Sequence, residues 1–104
     1  MPREPHLGQF EQLVVLAILQ LKENAYGMAI RREIQDRTER IVALGAVYTT
    51  LDRLEKKGYV SSWTGSPSPE RGGRAKRLFK VQALGKAALR NAAAIRAAMF
   101  AGLE

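Results

Sequence analysis

The spacing of apolar residues changes from a helical to a strand period at Gly58, and this change constrains the fold more than any other feature of the sequence. Before Gly58, apolar residues recur every three or four positions, as they do in amphipathic helices. After it come two short stretches rich in aromatic and β-branched residues, YVSSWT and KRLFKV, separated by GSPSPERGGRA. Because prolines and glycines make the separating stretch a loop, the sequence predicts a hairpin with a long tip.

The helical segments have recognisable limits. The first, LGQFEQLVVLAILQLKEN, is apolar on most of its faces, so we expect it to be covered from more than one side. The second runs from residue 26 to about 38, with Asn24 as its candidate N-cap. The third spans 45–57 and ends at Gly58, a C-cap glycine preceded by two lysines. A last helix is predicted over about 83–102.

The resulting order is helix, helix, helix, strand, basic loop, strand, helix, which is the order of a winged helix-turn-helix domain. We therefore predict a mainly α fold with a small β-hairpin (α+β). The winged helix-turn-helix domain is expected over residues 1–81, and residues 82–104 are expected to form a C-terminal dimerisation helix. A length of 104 residues suits one compact domain.

Composition narrows the classes of partner. The chain has no cysteine, which excludes disulfide scaffolds, thiolate catalysis and cysteine-ligated zinc. No apolar run approaches the roughly 20 residues of a membrane-spanning helix, so we expect a cytoplasmic protein with no membrane partner. The formal charge of +7 favours a polyanion such as DNA, RNA or anionic lipid. The segment from Arg71 to Leu103 carries eight basic residues and no acid.

The third helix has two stripes. One is apolar, running from Leu44 to Leu54, and should face the core. The other is small and polar with one cation, and in a winged helix-turn-helix this face enters the major groove of DNA. A tyrosine at the border of the two stripes is placed to reach a phosphate. The predicted DNA-binding residues of this helix are Ala46, Tyr48, Thr49, Thr50 and Arg53.

The loop of the hairpin, residues 65–77, is the predicted wing. Its glycine pair permits a tight exposed tip, and the cations on either side can contact phosphates or enter a narrow minor groove. These cations are Arg71, Arg74, Lys76 and Arg77. The alternative is a flexible, solubilising loop, and the recognition-like helix before it favours the DNA-binding interpretation.

The first and last helices carry more apolar surface than a chain of this length can cover. The last helix spaces its apolar residues at alternating steps of three and four, which is the spacing of a coiled-coil-like seam. We therefore expect these two helices to meet their counterparts across a two-fold axis in a homodimer. The predicted interface residues are Leu13, Leu16, Leu84, Ala88, Ala92, Ile95 and Met99.

Three stretches together resemble the PadR family of bacterial transcriptional regulators over about residues 7–90. They are LVVLAILQLKENAYGMAIRREI, LGAVYTTLDRLEKKGYVSS and ERGGRAKRLFKVQALGKAAL. The shared pattern is a Tyr-Gly pair opening the second helix, a Gly-x-x-Tyr-x-x-Leu-x-Arg-Leu recognition helix and a basic Gly-Gly wing. The resemblance implies a homodimeric winged-helix repressor that binds a palindromic operator. Ala43 stands where such proteins often have serine, so one cap or phosphate contact is expected to be missing.

Other functions have less support. An RNA-binding or ribosome-associated module would share the charge, but single-stranded RNA readers expose aromatics on a sheet, and Phe79 is predicted to face inward. An enzyme is not expected, because the sequence shows no nucleophile–base pair and no phosphate-cradling glycine loop. His6 is the only histidine, and no metal or cofactor is predicted. Trp63 is expected to anchor the hairpin to the core rather than to stack on a ligand, and the sequence identifies no small-molecule effector.

Overall fold

The computed structural model describes residues 6–65 and 75–103. Its elements follow the predicted order, and the mainly α fold with a small β-hairpin is confirmed. They are α1 (Gln9–Leu21), a 3₁₀ turn (Lys22–Asn24), α2 (Gly27–Thr38), α3 (Leu44–Lys56), β1 (Val60–Thr64), β2 (Arg77–Val81) and α4 (Ala83–Phe100). The prediction that Asn24 caps α2 is wrong, because Asn24 lies in the 3₁₀ turn and Tyr26 occupies the N-cap position.

The core lies where α1, α2 and α3 meet the inner face of the hairpin. Its fully buried side chains include Val14, Val15, Ile30, Val47, Leu51, Leu54 and Phe79. Burying one such side chain stabilises the fold by about 1.5–3 kcal/mol, which fixes the face that each helix turns inward. The predicted apolar stripe of α3 is therefore the stripe that packs against the core. Gly58, with a φ of 78°, ends α3 as predicted.

The two strands of the hairpin pair in antiparallel fashion, from Val60 opposite Val81 to Thr64 opposite Arg77. On the other edge of β2, the Phe79 amide donates a hydrogen bond of 2.8 Å to the Ala25 carbonyl. The chain between α1 and α2 thus pairs with β2 through an isolated antiparallel bridge between Tyr26 and Leu78. As a result, the N-terminus of α2 lies beside the base of the wing.

Side chains hold α3 at both ends. Before α3, the Arg31 Nε donates to the Val42 carbonyl at 2.8 Å, and the Val42 amide donates to the Gln35 Oε1 at 3.1 Å. After it, the Lys57 Nζ donates to the Glu11 carboxylate at 2.9 Å. The orientation of α3 is therefore fixed from α2 on one side and from α1 on the other.

The first half of α4 packs closely on the domain, and the second half reaches α1 through a hydrogen bond of 3.3 Å that Arg96 donates to the Gln12 side chain. Gly85 packs so closely against the Tyr59 carbonyl that a Cβ at this position would overlap it. One turn later, Ala88 is buried at 1% exposure. In the second half, Ile95 and Met99 are nevertheless 54% and 76% exposed. A large apolar surface on α4 is therefore left without cover within the described part of the chain.

Candidate DNA interface

The outer face of α3 presents three of the predicted DNA-binding side chains to solvent. Ala46, Thr49 and Arg53 are all exposed, and they follow the helical repeat along the side opposite the core. Small side chains at the first two positions leave room for close approach to a groove, and Arg53 lies one turn further toward the C-terminus. The arrangement suits a helix whose N-terminal half enters a major groove.

Thr50, also predicted to bind DNA, does not lie on this exposed face. Its side chain is only 5% exposed, because position 50 follows Val47 by three residues and precedes Leu54 by four. Both neighbours are fully buried, so the helical repeat turns Thr50 toward the core. The sequence contained this signal, since Thr50 fits the apolar stripe as well as the polar one.

Tyr48 is positioned by the first residue of α2. Its side chain is 39% exposed, and its hydroxyl end lies over Gly27 so closely that a Cβ there would overlap the phenol. The hydroxyl is therefore held at the N-terminus of α2, where backbone N–H groups of the first turn lack helical partners. The Tyr-Gly pair at 26 and 27 and the tyrosine of α3 thus form one structural unit.

Lys76 also lies at the N-terminus of α2, beside Tyr26. Its Nζ is 3.8 Å from the centroid of the Tyr26 ring, which is the geometry of a cation–π contact. The base of the wing is thereby fixed beside the N-terminus of α2, against which the phenol of Tyr48 also lies. The combination of an ammonium, a hydroxyl and a helix N-terminus gives this part of the surface the chemistry of a phosphate contact.

Arg77, predicted as a free wing cation, instead forms ion pairs with α3. Successive strand residues face opposite sides, so Arg77 shares the inner side of β2 with the buried Phe79 and Val81. Its guanidinium reaches the Glu55 carboxylate at 2.5 Å and Asp52 at 3.8 Å. Arg77 is therefore tied to carboxylates of α3 although it remains exposed, and its predicted contact with DNA stays a prediction. Arg71 and Arg74 lie outside the described residues, and their contacts stay predictions.

One exposed residue near α3 was not singled out from the sequence. Ile41 is 99% exposed, although it is aliphatic and β-branched. The hydrogen bonds that hold Val42 fix the backbone beside it, so Ile41 projects outward three residues before α3 begins. No periodicity reveals such a residue, because it lies in the short connection between two helices.

The predicted dimer residues fall into three environments. Leu84, Ile95 and Met99 are exposed on α4, whereas Ala92 is half-buried. Ala88 is buried within its own chain, unlike the exposed residues predicted for the interface. Leu13 and Leu16 line a groove of about 220 Å³ between α1 and α2. Leu13 packs partly against the core, and Leu16 remains exposed.

Trp63 does not anchor the hairpin in the core as predicted. It faces the side of the sheet opposite Phe79, is 44% exposed and borders a cavity of about 470 Å³. Phe79 faces inward as expected, at 1% exposure. Within residues 6–65 and 75–103, no group of three or more acidic or histidine side chains is arranged to hold a metal ion. No helix in the same part of the chain is long and apolar enough to cross a membrane.

Comparison with known protein families finds one family whose sequence model matches most of this chain. The model of the transcriptional regulator PadR-like family matches residues 15–91, from α1 through the middle of α4. A comparison with curated proteins gave no match. The matched region contains α3, Tyr26, Gly27 and the wing, which are the parts that form the candidate interface.

Three solved structures are similar to this chain in fold. A PadR family regulator from Clostridium difficile R20291 is 26% identical with a TM-score of 0.68, covering 91% of this chain and 99% of the other. A PadR family regulator from Eggerthella lenta DSM 2243 is 25% identical with a TM-score of 0.70, covering 88% and 78%. A PadR-like transcription factor from Bacteroides fragilis, at 24% identity, a TM-score of 0.72 and coverages of 88% and 84%, shares the fold. All three are named as regulators of transcription.

Proposed function

Because the chain belongs to the PadR-like family of transcriptional regulators, we propose that it is a cytoplasmic repressor that binds a palindromic operator in duplex DNA as a homodimer. The observation that carries this proposal is the outer face of α3, where Ala46, Thr49 and Arg53 are exposed opposite a fully packed inner face. A helix with these properties and a basic hairpin beside it matches the geometry of major-groove recognition.

The N-terminal half of α3 makes the base contacts in this proposal. The methyl group of Ala46 suits a thymine methyl, and the hydroxyl of Thr49 can donate to or accept from a base edge or a phosphate. Arg53 is long enough to reach a guanine from the next turn. Sequence preference therefore depends on these three side chains and not on Thr50, which is turned inward.

Contacts to the DNA backbone come from the surface formed by Tyr48, Lys76 and the N-terminus of α2. A phosphate placed there meets the phenol hydroxyl, the ammonium group and the amides of the first helical turn. Such contacts fix the register of the protein on the duplex but carry no sequence information. Arg71 and Arg74 extend the same contacts along the wing.

The homodimer is supported by the uncovered surface of α4. Ile95, Met99, Phe100 and Leu103 are all more than half exposed, and Leu16 and Leu19 of α1 are also exposed. Packing the ends of two α4 helices against each other and against α1 about a two-fold axis would remove this apolar surface from water. Two α3 helices would then lie about 34–36 Å apart, which is one turn of DNA.

The proposal is tested by selecting duplexes that the purified chain retains from a random pool. We expect an inverted repeat whose half-sites are separated by about 10–10.5 base pairs. Competition with RNA of the same length and at the same salt concentration separates duplex recognition from general affinity for polyanions. Enrichment of no sequence, or equal displacement by RNA, would contradict the proposal.

A further inference from the structure

Arg77 connects the base of the wing to α3 through side chains of two elements. Its NH2 group donates to the Glu55 Oε1 at 2.5 Å, and its Nε donates to the Ser62 Oγ at 3.2 Å. The Ser62 hydroxyl in turn donates to the Glu55 Oε2 at 2.8 Å. Arg77, Glu55 and Ser62 thus form a closed ring of hydrogen bonds, here called the wing clamp, that joins β2, β1 and α3.

The surroundings of the wing clamp restrict where the guanidinium can point. The Arg77 Cζ lies 5.0 Å from the centroid of the buried Phe79 ring, and Asp52 approaches the NH1 group at 3.8 Å. A planar guanidinium has a fixed fork of donors, so an arginine committed to two side-chain partners holds a defined orientation. Its charge is offset by two carboxylates of α3, which makes it a poor phosphate ligand.

The same two carboxylates need a cationic partner, because they lie on the helix that is proposed to enter DNA. Asp52 and Glu55 belong to the helix that also carries Thr49 and Arg53, and negative charge next to DNA opposes binding. Pairing with Arg77 offsets that charge and ties the two DNA-contacting elements together. The pairing of Arg77 with α3 therefore both reduces the negative charge of the helix and links the hairpin to it.

We propose that Arg77 is a positioning residue for DNA recognition: through the wing clamp it holds β1 and β2 at a fixed angle to α3, so that the hairpin and α3 engage one operator in a single register. The inference rests on the proposed function of duplex binding. It assigns to Arg77, Glu55 and Ser62 a role in discrimination between sequences and not in general affinity for DNA.

A direct phosphate contact by Arg77 and a positioning role for Arg77 predict different effects on DNA binding. A direct phosphate contact contributes to binding of every duplex, and its removal reduces the slope of log affinity against log salt by about 0.9. A positioning residue acts on the operator, where wing and helix must fit together, and much less on an unrelated duplex. The ratio of dissociation constants for an unrelated duplex and the operator therefore reports the positioning role.

The experiment measures this ratio for the duplex selected by the wild-type chain and for a shuffled duplex of equal length and composition. Arg77→Gln and Glu55→Gln are each expected to lower the ratio about tenfold, and the double variant also about tenfold rather than a hundredfold, because both substitutions open the same clamp. Arg77→Lys, which keeps charge but lacks the fork, should retain part of the ratio. Lys80→Gln, which removes a cation from the outer side of β2, is the matched control and should leave the ratio unchanged.

Several outcomes overturn the inference. If Arg77→Gln weakens both duplexes equally and lowers the salt slope while Glu55→Gln leaves the ratio intact, Arg77 contacts phosphate directly. If the wild-type chain selects no duplex, the proposed function fails first and the inference falls with it. If thermal unfolding shows that Arg77→Gln does not fold, Ser62→Ala removes only the bridging hydroxyl and must lower the ratio for the inference to stand.

Discussion

The phenol of Tyr48 occupies the space that a side chain at position 27 would need. Gly27 begins α2, and a Cβ built on it would overlap the hydroxyl oxygen and the neighbouring ring carbon of Tyr48. Because Gly27 has no side chain, the Tyr48 ring of α3 can lie against the start of α2. This relationship makes the first helical turn of α2 and the border of α3 a single surface.

Gly27→Ala is expected to displace the Tyr48 ring and weaken DNA binding about tenfold, while the free energy of unfolding changes by only about 1 kcal/mol. The effect on stability is small because the end of the tyrosine side chain can move. Titration of the selected duplex measures the first effect, and urea denaturation measures the second. Gly45→Ala is the control for stability, because a Cβ there meets no described atom within 4 Å. Unchanged DNA affinity in Gly27→Ala would show that the Tyr48 hydroxyl contacts no phosphate.

Arg53 and Thr50 should behave differently although both belonged to the predicted polar stripe. Arg53→Ala is expected to cost about 1–3 kcal/mol of binding free energy and to relax the preference at one base pair. Thr50→Val should leave base preference unchanged, because the side chain is buried. Affinities for a set of single-base operator variants provide the measurement. If Arg53→Ala weakens every variant equally, Arg53 contacts only the backbone.

Charge removal in the wing should act on all duplexes. The double variant Arg71→Gln and Arg74→Gln is expected to lower the slope of log affinity against log salt by about 0.9 for each phosphate that the wing no longer touches. The measurement compares binding isotherms of an unrelated duplex at several salt concentrations. Glu70→Gln, which alters a neighbouring charge of opposite sign, serves as the control. A slope equal to that of the wild type would mean that these two arginines touch no phosphate.

Disruption of the exposed apolar surface of α4 should dissociate the proposed homodimer and, as a consequence, reduce operator binding. Ile95→Glu with Met99→Glu places two charges in the exposed apolar surface, and solution mass at micromolar concentration reports the result. Ala94→Glu is the matched control, because position 94 lies about 100° around the helix from Ile95. A wild-type monomer with full affinity for a palindrome would contradict the dimer.

The stability of the fold should depend on pH through Glu11. Burial by itself would raise the pKa of this carboxyl, but the hydrogen bond from the Gly8 amide and the Lys57 ammonium outweigh burial and lower the pKa. A carboxyl with a lowered pKa in the folded state stabilises the protein above its ordinary pKa, about 4.3, and loses that contribution as pH falls through the lower value. The ionised form is thus the stabilising one.

Glu11→Gln is therefore expected to reduce the free energy of unfolding by about 1–3 kcal/mol at pH 7. The difference from the wild type should shrink below pH ~4, where the wild-type carboxyl itself becomes protonated. Denaturant titrations at a series of pH values measure this difference. Glu23→Gln, at an exposed position, should change stability by less than about 0.5 kcal/mol. An equal loss at neutral and acid pH would show that Glu11 acts through packing rather than charge.

The sequence by itself determined the elements of this protein and their order. Apolar spacing located α1, α2 and α3, Gly58 ended α3, and the change to strand periodicity located the hairpin. These features are readable because they depend on local backbone geometry and on which side of each element is apolar. For the same reason the inner face of α3 and the inward direction of Phe79 followed from periodicity alone.

Only the tertiary structure decided which side chains share a surface. Thr50 fitted two stripes, and its burial depended on how α3 rotates against the core. Arg77 was recognised as a cation, but its carboxylate partners lie 22 and 25 positions earlier in the chain. The contact between Gly27 and Tyr48 likewise joins two helices. Contacts between residues far apart in sequence depend on how the elements pack together, and the period of a single element carries no information about that packing.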